Sequence, residues 1–138
     1  DLRTSVAAER ILLYGESLGT TVALMLAAES PVRALRLDSS FSSALDVARG
    51  RFPWLPVSLI LEDTYRADLA APRVDVPVLQ VHCVDDPITP LRFAEALHGH
   101  LPRARMLHRI DKRCHVPSLA DYDAARLDFV HAMFGARE

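Results

Sequence analysis

The chain has 138 residues, half of them apolar and a quarter charged, with a formal net charge of −2. That length supports one hydrophobic core, and that charge gives no electrostatic reason to bind nucleic acid or an anionic membrane surface. No apolar run approaches the ~20 residues that span a bilayer, and no signal-peptide pattern occurs, although a chain opening with Asp1 leaves room for a targeting or anchor segment upstream.

The first apolar run, Ile11-Leu12-Leu13-Tyr14, reads as a buried strand, and Thr20 to Glu29 reads as a helix. Between them stands Gly15-Glu16-Ser17-Leu18-Gly19. A serine hydroxyl at its ordinary pKa is a poor nucleophile, so a reactive one needs a base within hydrogen-bond reach and a rigid, exposed seat. A strand that reverses into a helix supplies that seat if the positions two before and two after the serine lack bulk. Gly15 and Gly19 meet that condition. Ser17 then sits in strained backbone at a helix N-terminus, where the free N–H of Leu18 and the helix dipole face a developing oxyanion. The side chains of Glu16 and Leu18 support this turn rather than react. Chance alone produces Gly-x-Ser-x-Gly about once per 3,000 positions, so the strand before it and the helix after it carry the functional reading.

The helix from Leu18 to Ala28 is apolar nearly all round, which implies burial on several sides. Val32 to Leu37 follows as a short strand in which Arg33 and Arg36 are awkward, and the serines of Asp38-Ser39-Ser40-Phe41-Ser42-Ser43 can cap a helix from Ala44 to about Arg49. Gly50, Pro53 and Pro56 punctuate a lid-like segment over residues 50–65, with Pro56 opening a short apolar helix through Leu61. This segment is expected over the site, while Phe41, Trp54 and Leu55 read as core. Val78 to Cys83 is a further buried strand. Asp85-Asp86-Pro87-Ile88 turns away from it into Thr89-Pro90, a cap with proline at the first helical position, and the helix runs to His98 with Gly99 ending it. Arg105 to Ile110 is the fourth strand, residues 111–115 a loop, and Pro117 to Phe134 a closing amphipathic helix. Strands alternating with helices of about ten residues give an α/β fold, a parallel sheet of about four strands with flanking helices. No internal repeat or linker breaks residues 1–138 into more than one domain.

Ligands of such sheets bind beyond the carboxyl ends of the strands, and Ser17, Asp86 and His115 each fall just beyond one. His115 is a candidate general base and Asp86 its orienting carboxylate, with Asp85 in reserve. His82, His98, His100, His108 and His131 lack such placement. Cys83 and Cys114 fit no metal spacing and are too few for a disulfide scaffold, so reduced thiols in a cytoplasmic setting are the default.

Taken together, Arg10-Ile-Leu-Leu-Tyr-Gly-Glu-Ser-Leu-Gly19, Leu37-Asp-Ser-Ser-Phe-Ser42, His82-Cys-Val-Asp-Asp-Pro-Ile-Thr-Pro90 and Cys114-His115 resemble the C-terminal half of an alpha/beta-hydrolase-fold serine hydrolase. The Phe52-Pro-Trp-Leu-Pro56 stretch is similar to the short-lid esterase and thioesterase branch. The resemblance implies a Ser17–Asp86–His115 triad acting through an acyl-enzyme on a small-molecule ester, thioester or amide, with no metal or cofactor. Two departures stand out, because Cys83 and Cys114 occupy positions where the family commonly has glycine, and a disulfide between them is the alternative to free thiols. The resemblance also implies an N-terminal half that supplies the first strands and a second oxyanion donor. Without it, the strand Ile11–Tyr14 has a neighbour on one side only and can self-associate, and a non-catalytic fragment or interaction module is the alternative function.

Overall fold

The structure, a computed structural model, describes residues 6–60, 64–102 and 105–135. Four strands, β1 (Leu12–Glu16), β2 (Ala34–Asp38), β3 (Val78–Cys83) and β4 (Arg105–Ile110), lie parallel in the order β1-β2-β3-β4. The connecting helices are α1 (Leu18–Glu29), α2 (Ala44–Arg51), α3 (Val57–Ile60), α4 (Ala67–Ala70), α5 (Leu91–His100) and α6 (Leu119–Phe134).

Every residue of β2 and β3 is buried, because both lie inside the sheet with helices on either face. Their alternating side chains feed two cores. Leu35, Leu37 and Val78 pack with Leu24 of α1, Ala67 and Ala70 of α4 and Leu97 of α5. On the other face Leu79, Val81 and Cys83 pack with Ile110 and with Tyr122 and Phe129 of α6. Each such fully buried leucine contributes about 1.5–3 kcal/mol.

Arg36, awkward in a covered strand by sequence, solves its burial locally. Its guanidinium donates two hydrogen bonds to Asp38, at 3.1 and 2.5 Å, and lies 4.8 Å from the Tyr14 ring centre and 4.3 Å from that of Tyr122. Tyr122 holds the one non-helical turn inside α6, whose start is set by a capping box between Ser118 and Asp121, so the helix begins at Leu119 rather than Pro117.

Several expectations are corrected. Helix α1 is not buried all round: Leu18, Val22, Met25 and Leu26 are exposed, because among the described residues β1 is paired with β2 alone. Trp54 is 77% and Leu59 86% exposed and Leu55 is half-buried, so of the 52–60 stretch Val57 alone is buried, as is Phe41; Leu61 lies outside the described residues. Helix α2 runs on through Gly50 to Arg51. The cap of α5 is Pro90 and not Thr89, and the helix continues past Gly99 to His100.

Cys83 and Cys114 form a disulfide, with Cα atoms 5.6 Å apart, in place of the expected free thiols. After β4 the chain folds back over the end of β3: Val84 N–H donates to Ile110 O (2.8 Å) and Asp85 N–H to Lys112 O (3.4 Å), which brings the two cysteines within bridging range. A cross-link over a sequence separation of 31 residues contributes about 3–4 kcal/mol, chiefly by restricting the unfolded chain. Reduction, or the Cys83→Ala/Cys114→Ala double variant, is therefore expected to lower Tm by roughly 10 °C or more. Thermal melts with and without reductant check this, and an unchanged Tm contradicts it.

Candidate active site

Ser17 leaves β1 with φ 49° and ψ −119°, in the left-handed half of backbone space that side chains rarely adopt. Three hydrogen bonds hold it there. Its N–H donates to Asp38 O at the end of β2 (2.9 Å), and its carbonyl accepts from Thr20 N–H (3.0 Å) and Thr20 Oγ1 (2.6 Å). Leu18 is the first residue of α1, so its N–H has no intrahelical acceptor and points out of the helix N-terminus.

The two elbow glycines differ. A Cβ on Gly15 would stand 2.5 Å from Gly19 O and 2.8 Å from Thr20 Cα, so strand and helix touch there and only glycine fits. A Cβ on Gly19 would meet nothing within 4 Å, which corrects the expectation that both positions must lack bulk. The contact is made by the backbone of Gly19 against Gly15, and the Cβ direction of Gly19 points away. Gly15→Ala is thus expected to unfold the chain or strip Ser17 of reactivity, and Gly19→Ala to be tolerated within about 1 kcal/mol. Paired melts of the two variants decide this, and equal effects would contradict the asymmetry.

Asp86, not Asp85, faces the histidine. Asp85 is exposed, whereas Asp86 is 5% exposed and folded into an Asx-like turn. Its Oδ1 accepts from Ile88 N–H (2.7 Å) and Thr89 N–H (2.9 Å), and its Oδ2 from Thr89 Oγ1 (2.8 Å). Burial pushes this carboxyl up, but the hydrogen bonds from His115, Thr89 and Ile88 outweigh it and hold the group below the usual carboxylate range. Thr89, read from sequence as a helix cap, instead closes this turn; the Asp-x-x-Thr spacing was the available signal. His82 lies beneath, fully buried, its Nε2–H donating to Thr89 O at 2.7 Å. Burial lowers its pKa and keeps the ring neutral.

His115 bridges the two. Its Nδ1–H donates to Asp86 Oδ2 at 2.8 Å, which leaves Nε2 as an acceptor 3.0 Å from Ser17 Oγ. The structure therefore brings Ser17, Asp86 and His115 into one hydrogen-bonded line beyond the carboxyl ends of β1, β3 and β4. His98 serves the interior instead, donating from Nδ1 to Gln80 Oε1 at 2.7 Å. Among the described residues no cluster of His, Cys, Asp and Glu could hold a metal ion, and no helix is long and apolar enough to cross a membrane.

No family model matches the chain. Over 95 residues it is 38% identical to an uncharacterized protein of Mycobacterium tuberculosis, across 69% of this chain and 34% of that protein. Over 97 residues it is 31% identical to the alpha/beta hydrolase domain-containing protein aho-3 of Caenorhabditis elegans, across 70% of this chain and 28% of that one. Acetyl xylan esterase 1 from Thermoanaerobacterium sp. superposes with a TM-score of 0.70 at 20% identity, covering 94% of this chain and 47% of the esterase. The fold is that of the alpha/beta hydrolases, and this chain carries the C-terminal half of it. It spans about a third of the length of the two curated relatives.

Proposed function

We propose that the protein is a serine hydrolase that cleaves a carboxylic ester, thioester or small amide through a covalent acyl-enzyme. The observation that carries this is the Ser17 Oγ···Nε2 His115 Nδ1–H···Asp86 line, 3.0 and 2.8 Å, built on a strained elbow. In this reading Ser17 Oγ attacks the carbonyl carbon while His115 Nε2 takes its proton. The tetrahedral oxyanion meets the N–H of Leu18, the leaving group departs with the proton from Nε2, and water repeats the sequence to release the acid. Asp86 keeps the Nδ1–H tautomer and stabilises the imidazolium. A small acyl compound is the partner this chemistry asks for.

A second reading, a non-catalytic interaction module, is favoured by the uncovered edge of β1 and the exposed outer face of α1. A phosphonyl-type serine probe separates the two. Under the hydrolase reading, in the longest natural chain that carries these residues, the label falls on Ser17 and is abolished by Ser17→Ala. Undiminished labelling of the variant at another residue removes Ser17 as the nucleophile.

A further inference from the structure

In the Asp38–Ser43 run, Ser39 plays a part that neither helix capping nor interior side-chain pairing explains. Ser43 accepts from Asp46 N–H as the cap of α2, and Ser40 Oγ accepts from Gln80 Nε2. Ser39 does neither. It is fully buried, has φ 52°, and donates its hydroxyl to the main-chain carbonyl of His115. Left-handed backbone costs a serine on the order of 1–3 kcal/mol and persists where the surroundings over-determine it. Here Ser39 N–H still pairs with Val81 O at 2.9 Å, so the residue keeps its place beside β3. Its side chain reaches past β3 to the loop that follows β4.

We infer that Ser39 is a positioning residue for His115, an inference that rests on the hydrolase reading of the site. Residues 113–117 form a loop whose described main-chain groups make this one hydrogen bond to another part of the chain. Further attachments of the segment are the Cys114 disulfide and the ring bonds of His115 to Asp86 and Ser17. The ring bonds are the ones the reaction perturbs, because Nε2 must take a proton from Ser17 and pass it on. Ser39 grips the backbone of the same residue and is untouched by that proton transfer. Asp38 and Ser39 together then tie three site segments to the end of one strand: Asp38 O holds the N–H of Ser17, Ser39 N–H holds β3 a few residues before the Asp85–Asp86 turn, and Ser39 Oγ holds His115.

Ser39→Gly is the informative variant, since glycine adopts the left-handed backbone freely and the hydroxymethyl group is lost with no backbone strain added. In the longest natural chain carrying these residues, it is expected to lower kcat for a short-chain ester 10- to 100-fold, as misplacement by a fraction of an ångström to 1 Å does. KM stays within about twofold and Tm is little changed. The downfield proton resonance of His115 Nδ1–H, bound to a buried carboxylate, should broaden or vanish in the same variant. Wild-type kcat in Ser39→Gly while Ser17→Ala is inactive overturns the inference and leaves the hydrolase reading standing. A fall in kcat that only tracks a fall in folded fraction also overturns it. If Ser17→Ala stays active, the hydrolase reading fails instead, and the resonance still decides whether Ser39 positions the ring: an unshifted, sharp signal in Ser39→Gly says that it does not.

Discussion

Asp86→Asn is expected to lower kcat by about 10⁴-fold with KM nearly unchanged. The turn dictates why. Two main-chain donors, Ile88 N–H and Thr89 N–H, claim one oxygen of the side chain, so an amide is forced to place its carbonyl there and its NH₂ toward His115. Nδ1 must then accept and Nε2 carry the proton, which aims an N–H at Ser17 in place of a lone pair. The amide of the variant would hold the ring as firmly as the carboxylate does, but in the wrong tautomer. The same variant reports on stability. The Asp86 carboxyl is held below its ordinary value in the fold, so its contribution is complete above the unfolded carboxylate pKa of about 3.9 and is lost as pH falls through the folded value. The wild type should lose stability more steeply than Asp86→Asn below about pH 4. Steady-state kinetics and acid melts check both; a variant within tenfold of wild type would show that Asp86 does not set the tautomer.

The second large effect concerns these 138 residues by themselves. Among the described residues strand β1 pairs on one side only, and Tyr14, Leu18, Val22, Met25 and Leu26 are exposed beside it. Unpaired strand N–H and C=O groups next to apolar side chains invite pairing with another chain. In the proposed mechanism Leu18 N–H is the oxyanion donor identified among the described residues, and the lack of a second donor would cost about 10²- to 10³-fold in turnover. A loosely supported elbow adds about 10²-fold more, since about 1 Å of misplacement is that expensive. The isolated residues are therefore expected to self-associate and to hydrolyse a generic short-chain ester barely above background. Sedimentation and an ester assay test this together. A stable monomer turning over near about 1 s⁻¹ or faster, the ordinary enzyme range, would mean that the elbow needs nothing on its open side.

Much of the fold was legible because each strand holds enough apolar residues between turn or loop residues to stand out, even where polar side chains such as Arg36, Gln80 and His108 interrupt it. Val78–Cys83 and Arg105–Ile110 have the bounds that the sequence suggests, and the parallel order follows from the helices between strands. The stretch from Ala67 to Arg73 carries no legible sequence signal, since α4 and the single turn after it are too short to show a period, yet Ala67, Ala70, Ala71 and Val74 are all buried. Position was readable for Ser17, Asp86 and His115, each just past a strand. What lay outside sequence logic was contact between distant segments. The Cys83–Cys114 bridge depends on the chain doubling back over β3, and the difference between Gly15 and Gly19 depends on which Cα faces the other element. Thr89 and Ser39 look like cap residues by type, and only the fold sends their hydroxyls to Asp86 and to His115.

The most direct test of the proposed chemistry is the intact mass of the longest natural chain carrying these residues, quenched within one turnover of mixing with an activated acyl ester. The expected result is a stoichiometric acyl adduct, mapped by peptide fragmentation to Ser17 and missing from Ser17→Ala. Ester turnover with no adduct in the wild type, and equal turnover in Ser17→Ala, would contradict it.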